Sequence, residues 1–95
     1  MSYKMFLDDV RYPPDASWIL AKNSEEAAEI VEILGVPKFI SFDHDLGGND
    51  TAMVFLKWLI SNYHDRDFEY AIHSANPIGS KNIESYIESW KKSKL

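Results

Sequence analysis

The residues of this chain that could do chemistry sit in three clusters. Asp8-Asp9 follows the apolar run Lys4-Met5-Phe6-Leu7, Asp43-His44-Asp45 follows Phe39-Ile40-Ser41-Phe42, and His73-Ser74-Ala75-Asn76 follows Tyr70-Ala71-Ile72. Aspartates brought to one spot repel, and a divalent cation relieves that repulsion. Oxygen-only donors suit Mg²⁺ or Mn²⁺, so Asp8, Asp9 and Asp43 are the candidate metal ligands. Asp15, Asp50, Asp65 and Asp67 are read instead as caps of loops and helices. His44 and His73, with Asp43 and Asp45 beside them, are candidates for catalysis, because imidazoles move protons near neutral pH and two of them can serve as base and acid around a phosphate. Either ring could equally pack and hydrogen-bond to backbone, or ligate a metal, which would favour Mn²⁺, Fe²⁺ or Zn²⁺.

Around these lie candidate phosphate-binding groups. Ser74 and Asn76 can donate hydrogen bonds to phosphoryl oxygens. Gly79-Ser80-Lys81 opens a helical pattern, and the N–H groups at a helix start bind anions. Arg11 can clamp a phosphate or pair with a neighbouring aspartate. Gly47-Gly48 can let another backbone approach closely. Tyr12, beside Pro13-Pro14, is placed to stack on a base or sugar, whereas His64, at the end of a helix, reads as solvated.

The clusters are useful only if the fold brings them together. Lys4 to Leu7, Ser17 to Leu20, Phe39 to Phe42 and Tyr70 to Ile72 are short apolar runs that read as strands. Ser24 to Leu34 reads as a helix capped by Asn23 or Ser24 and ended by Gly35, with Ala27, Ile30, Val31 and Leu34 on one face. Asp50 to Tyr63 reads as a second helix, and a third begins near Ser80. Strands alternating with helices imply a parallel sheet with right-handed crossovers.

The segment from Val10 to Ser17 is too short for a helical crossover. Yet the first helix is about 16 Å long at about 1.5 Å per residue, and only a short link, Gly35 to Lys38, separates it from the third strand. The second strand must therefore end at the same edge as the first, and Val10 to Ser17 must return extended along the sheet. The expected order is 2-1-3-4. The three clusters then meet at the carboxyl edge, where open α/β sheets bind ligands.

Composition narrows the function classes. With 95 residues, 45% apolar and 14% aromatic, the chain has the makings of one small ordered domain, and a homodimer would help to stabilise it. The absence of cysteine excludes disulfides, thiolate metal sites and cysteine nucleophiles. No apolar run approaches the ~20 residues of a membrane span. The start at Met1-Ser2-Tyr3-Lys4 lacks the features of a signal peptide, and the expected location is cytoplasmic. A net charge of −5 argues against binding long nucleic acid through its backbone.

Taken together, Phe6-Leu7-Asp8-Asp9-Val10-Arg11-Tyr12-Pro13-Pro14-Asp15, Ile40-Ser41-Phe42-Asp43-His44-Asp45-Leu46-Gly47 and His73-Ser74-Ala75-Asn76-Pro77-Ile78-Gly79 resemble the cyclic-phosphate processing receiver domains, a divergent branch of the response-regulator receiver fold. The resemblance implies a metal-binding pair at Asp8 and Asp9, an acceptor position at Asp43 and the receiver hydroxyl at Ser74. The chain departs from receivers in showing no first crossover helix and no fifth strand with its lysine. Both departures weigh against ordinary phosphotransfer. The expected function is metal-dependent opening of a cyclic phosphate: a nucleoside 2′,3′-cyclic phosphate, an RNA end carrying one, or a cyclic nucleotide. In that reading His44 or Asp45 is the base and His73 the acid. The alternative is a non-catalytic or phospho-accepting receiver-like module.

Overall fold

A computed structural model describes residues 2–94 of the chain; Met1, named above at its start, lies outside them. Four short strands, β1 (Lys4–Leu7), β2 (Trp18–Ala21), β3 (Phe39–Phe42) and β4 (Glu69–Ile72), pair in parallel in the order β2-β1-β3-β4. Helices α1 (Ser24–Leu34), α2 (Ala52–Asn62) and α3 (Pro77–Ser93) complete the fold. The architecture is the receiver-like α/β sheet with three helices expected from the chain. Val10 to Ser17 forms neither helix nor strand and returns the chain to a parallel β2.

Alternation along the strands decides which face of the sheet is covered. Met5, Leu7, Ala21, Ile40 and Phe42 point one way and form a core with Ala27 and Val31 of α1, Phe55, Leu56 and Leu59 of α2, and Ile83 and Ile87 of α3. Truncating a buried phenylalanine such as Phe42 or Phe55 to alanine would cost roughly 3–5 kcal/mol. The opposite face carries Lys4, Phe6, Trp18, Phe39 and Ser41 and, among the described residues, no helix. There the aromatics cover one another: Trp18 packs edge-on against Phe6 at 5.9 Å and against Phe39 at 5.8 Å, with the Lys4 Nζ 4.4 Å from the Trp18 ring. The result is a two-layer slab of 35 × 33 × 21 Å.

Helix boundaries follow local chemistry. Asn23 caps α1, its side chain accepting from the Glu26 N–H, while Glu26 accepts from the Lys22 N–H. Gly35 ends α1 with φ 87°, a conformation that costs glycine little. Two helix starts differ from expectation. Helix α2 starts at Ala52 rather than Asp50, because both Asp50 carboxylate oxygens accept from Ser24, at 2.8 and 2.5 Å, and fasten this loop to the start of α1. Helix α3 starts at Pro77 rather than near Ser80. Proline has no N–H to lose at the first helical position, and Asn76 caps it by accepting from the Gly79 N–H. The capping roles expected of Asp15, Asp50 and Asp67 are present: Asp15 accepts from Ser17 and Asp67 from Phe68.

Candidate functional site

Each cluster begins with the first residue past a strand, and the sheet ladder runs one residue further to hold it. The Asp8 N–H donates to the Ala21 carbonyl at 3.0 Å, the Asp43 N–H to Leu7 at 2.9 Å and the His73 N–H to Phe42 at 2.9 Å. Backbone register thus sets Asp8, Asp43 and His73 side by side at the carboxyl edge.

One carboxylate oxygen from each of Asp8, Asp9 and Asp43 lies within 4.8 Å of the others. Asp8 is buried, at 1% exposure, while Asp9 and Asp43 are half-buried. Burial works against the charge on Asp8, but the Arg11 and Val10 N–H groups and His73 outweigh it and hold its carboxyl below the ordinary aspartate value. Both N–H groups reach Asp8 Oδ1 at 2.8 Å. Asp43 Oδ1 accepts from the His44 N–H. The loop Gly47-Gly48 has positive φ at both residues, and a Cβ on Gly47 would stand 3.2 Å from Asp9 Oδ2. What approaches Gly47 is therefore the side-chain carboxylate of Asp9 and not the other backbone expected there.

The two histidines occupy unlike environments. His73 uses both ring nitrogens: Nδ1 lies 2.7 Å from Ser41 Oγ, Nε2 lies 2.9 Å from Asp8 Oδ2, and the ring stacks on Phe6. A proton-donating role toward substrate, expected from its position, conflicts with this arrangement, because Nε2 is committed to Asp8. His44 offers more. Its Nδ1 lies 3.1 Å from Asp45 Oδ1, and its Nε2 makes no hydrogen bond among the described residues. Asp45 Oδ2 accepts from Asn76 Nδ2 at 3.2 Å. The bond to His44 and then that to Asn76 hold the Asp45 carboxyl below its ordinary value.

The expected phosphate-binding groups divide. Arg11 donates one N–H to the His73 carbonyl at 2.7 Å, which holds its guanidinium at this edge with further donors to spare. Ser74 Oγ accepts from the Asn76 N–H and retains its own proton to donate. Asn76 Nδ2 spends one hydrogen on Asp45 Oδ2, and the role expected of the Gly79 and Ser80 backbone N–H groups is corrected. Asn76 Oδ1 accepts from the Gly79 N–H and the Asn76 carbonyl from the Ser80 N–H, so these N–H groups close the first turn of α3 and offer nothing to an anion. Gly79 has a different use: a Cβ there would come within 2.3 Å of His44 Cγ, so its bare Cα seats the His44 ring.

Ser41 was not singled out from sequence; a serine inside a strand carries no signal until the register places it under His73. Tyr12 is 74% exposed, its ring 5.6 Å from Lys22 Nζ at the β2 end of the edge. His64 is exposed, as expected, beside Asp65. No helix among the described residues is long and apolar enough to cross a membrane.

A family model, the cyclic-phosphate processing receiver domain, matches residues 3–89. No curated protein and no solved structure matches the chain.

Proposed function

The chain belongs to the cyclic-phosphate processing receiver domain family, and from that premise we propose that it is a metal-dependent phosphodiesterase that opens a cyclic phosphate. The observation that carries this reading is the pairing of a three-carboxylate cluster with a histidine, His44, held at one ring nitrogen and open at the other.

The donor set fits a small hard cation: three carboxylates, no thiolate, and a half-buried position where unrelieved charge is costly. Asp8, Asp9 and Asp43 would hold Mg²⁺ or Mn²⁺. When bound, such an ion supplies charge neutralisation for a phosphate oxygen and a more acidic water. The remaining roles belong to the chain. His44 takes the proton of the attacking water at Nε2, and Asp45, steadied by Asn76, fixes the ring and stabilises the imidazolium. Arg11 and Ser74 donate to the phosphoryl oxygens as charge builds on them. The leaving oxygen takes its proton from solvent, which the exposed Asp45 shows to reach this edge.

A second reading, a phospho-accepting module, is favoured by one observation: Asp43 stands one residue past the central strand β3 with the acidic pair beside it, as the acceptor of a receiver would.

The test is ³¹P NMR with Mg²⁺ or Mn²⁺ against nucleoside 2′,3′-cyclic phosphates, cyclic nucleotides, a short RNA ending in a cyclic phosphate, and acetyl phosphate. The expected result is metal-dependent loss of a cyclic-phosphate resonance, abolished by Asp43→Asn and by His44→Ala. A protein-bound acyl phosphate with no cyclic phosphate consumed would establish the second reading. An unchanged panel would refute both.

A further inference from the structure

The phosphodiesterase reading leaves one polar pair, a buried serine and a half-buried histidine, without a task. Ser41 lies in the middle of β3, only 7% exposed, on the sheet face that has no helix and is otherwise lined near it by Phe6, Trp18 and Phe39. Its hydroxyl meets His73 Nδ1 at 2.7 Å, and His73 Nε2 meets Asp8 Oδ2 at 2.9 Å. Phe6 lies flat against the imidazole, 4.4 Å between centroids and 8° between planes, and supports one face of the ring.

Donor and acceptor counting orders this chain. An ionised carboxylate only accepts, so Nε2 carries the hydrogen toward Asp8. A neutral ring protonated at Nε2 has its lone pair on Nδ1, which needs a donor, and the Ser41 hydroxyl is that donor. The direction is Ser41 to His73 to Asp8. At the far end Asp8 Oδ1 already accepts from the Val10 and Arg11 N–H groups. Three of about four acceptor sites on the carboxylate are then filled from within the chain, which leaves one on Oδ2, and Asp8 also offers a carboxylate oxygen to the cluster with Asp9 and Asp43.

We propose that Ser41 and His73 are positioning residues for the metal centre: they lock Asp8 so that its last acceptor site faces the cation held with Asp9 and Asp43. This rests on the metal reading above. It removes His73 from proton transfer and makes Ser41, a strand residue two positions before Asp43, a determinant of metal affinity. Groups that orient a ligand from behind typically account for about 10–100-fold in metal affinity.

The experiment is a titration of the purified chain with Mn²⁺, followed by loss of the free-ion EPR signal, for wild type, Ser41→Ala, Ser41→Thr, His73→Phe and His73→Gln, with thermal unfolding of each. We expect Ser41→Ala and His73→Phe to weaken Mn²⁺ by about 10-fold or more. Ser41→Thr keeps the hydroxyl and should restore binding. His73→Gln keeps an N–H within reach of Asp8 and should bind more tightly than His73→Phe. Alongside, long-range ¹H–¹⁵N spectra of metal-free protein, at a pH where the ring is neutral, should show His73 protonated at Nε2 in wild type and a tautomer mixture in Ser41→Ala. A purely structural pair would shift the unfolding temperature and leave Mn²⁺ affinity alone. If His73→Phe does not fold, the serine variants carry the test. Wild-type protein that binds no Mn²⁺ would sink the metal reading and this inference with it. Wild type and Ser41→Ala binding Mn²⁺ equally would overturn this inference and leave the metal reading standing.

Discussion

Gly79 shows how much one side chain decides at this site. Alanine is the better helix former by about 1 kcal/mol, and Gly79 lies in the first turn of α3. A methyl group there would nonetheless overlap the His44 ring, at 2.3 Å from Cγ. We expect Gly79→Ala to fold, to gain nothing in unfolding temperature, and to lose most turnover because His44 is displaced; calorimetry and the phosphate assay on one preparation test this together. His44→Ala should lower kcat by roughly 10²–10⁴, the usual worth of a general base, and leave Mn²⁺ affinity within about two-fold of wild type. A parallel loss of affinity would mean that His44 serves the metal instead.

Among the elements, caps and ties hold the loops that carry the site. Asn23→Ala should destabilise the chain by about 1 kcal/mol in urea unfolding, the ordinary worth of an N-cap. Tyr3 is a tie of another kind: its hydroxyl donates to the Gly35 carbonyl at 2.6 Å, joining the start of β1 to the end of α1. Burial, with Tyr63 adding repulsion, pushes its phenol up to about 12 from 10.0. The folded state therefore holds this proton more tightly than the unfolded chain. The stabilisation is complete below the unfolded value and is lost as pH rises through the folded one. Alkaline unfolding should steepen above pH 10, and Tyr3→Phe, less stable by about 1 kcal/mol at neutral pH, should lose part of that slope.

For the molecule as a whole, charge is the governing quantity. The chain carries a net −5, and three carboxylates crowd one edge. Asp43→Asn removes a repelling charge without removing bulk, so it should raise the unfolding temperature of metal-free protein. In wild type, Mg²⁺ should raise it instead, by an amount equivalent to about 2.7 kcal/mol at a hundred times its Kd, and the variant should lose that response. A higher unfolding temperature for the metal-free variant, together with a Mg²⁺ response confined to wild type, is the expected signature of a working metal centre in calorimetry. Equal responses would place the ion elsewhere.

The amino-acid sequence by itself determined the sheet order and the convergence of the three clusters. Strand and helix periodicities are local, and the short link from Gly35 to Lys38 leaves the chain one way to enter β3. Asp8, Asp9 and Asp43 were legible for the same reason, each lying within two residues of a strand end. The start of α3 was legible in principle, since Asn-Pro is a cap followed by a first helical residue as well as a turn. Only the tertiary structure decided which histidine keeps a ring nitrogen without a hydrogen bond among the described residues. His44 and His73 look alike in sequence, each just past a strand. What separates them is side-chain packing across distant positions, Ser41 and Asp8 for one ring and Gly79 for the other, and such contacts exist only once register and helix placement have brought those residues together.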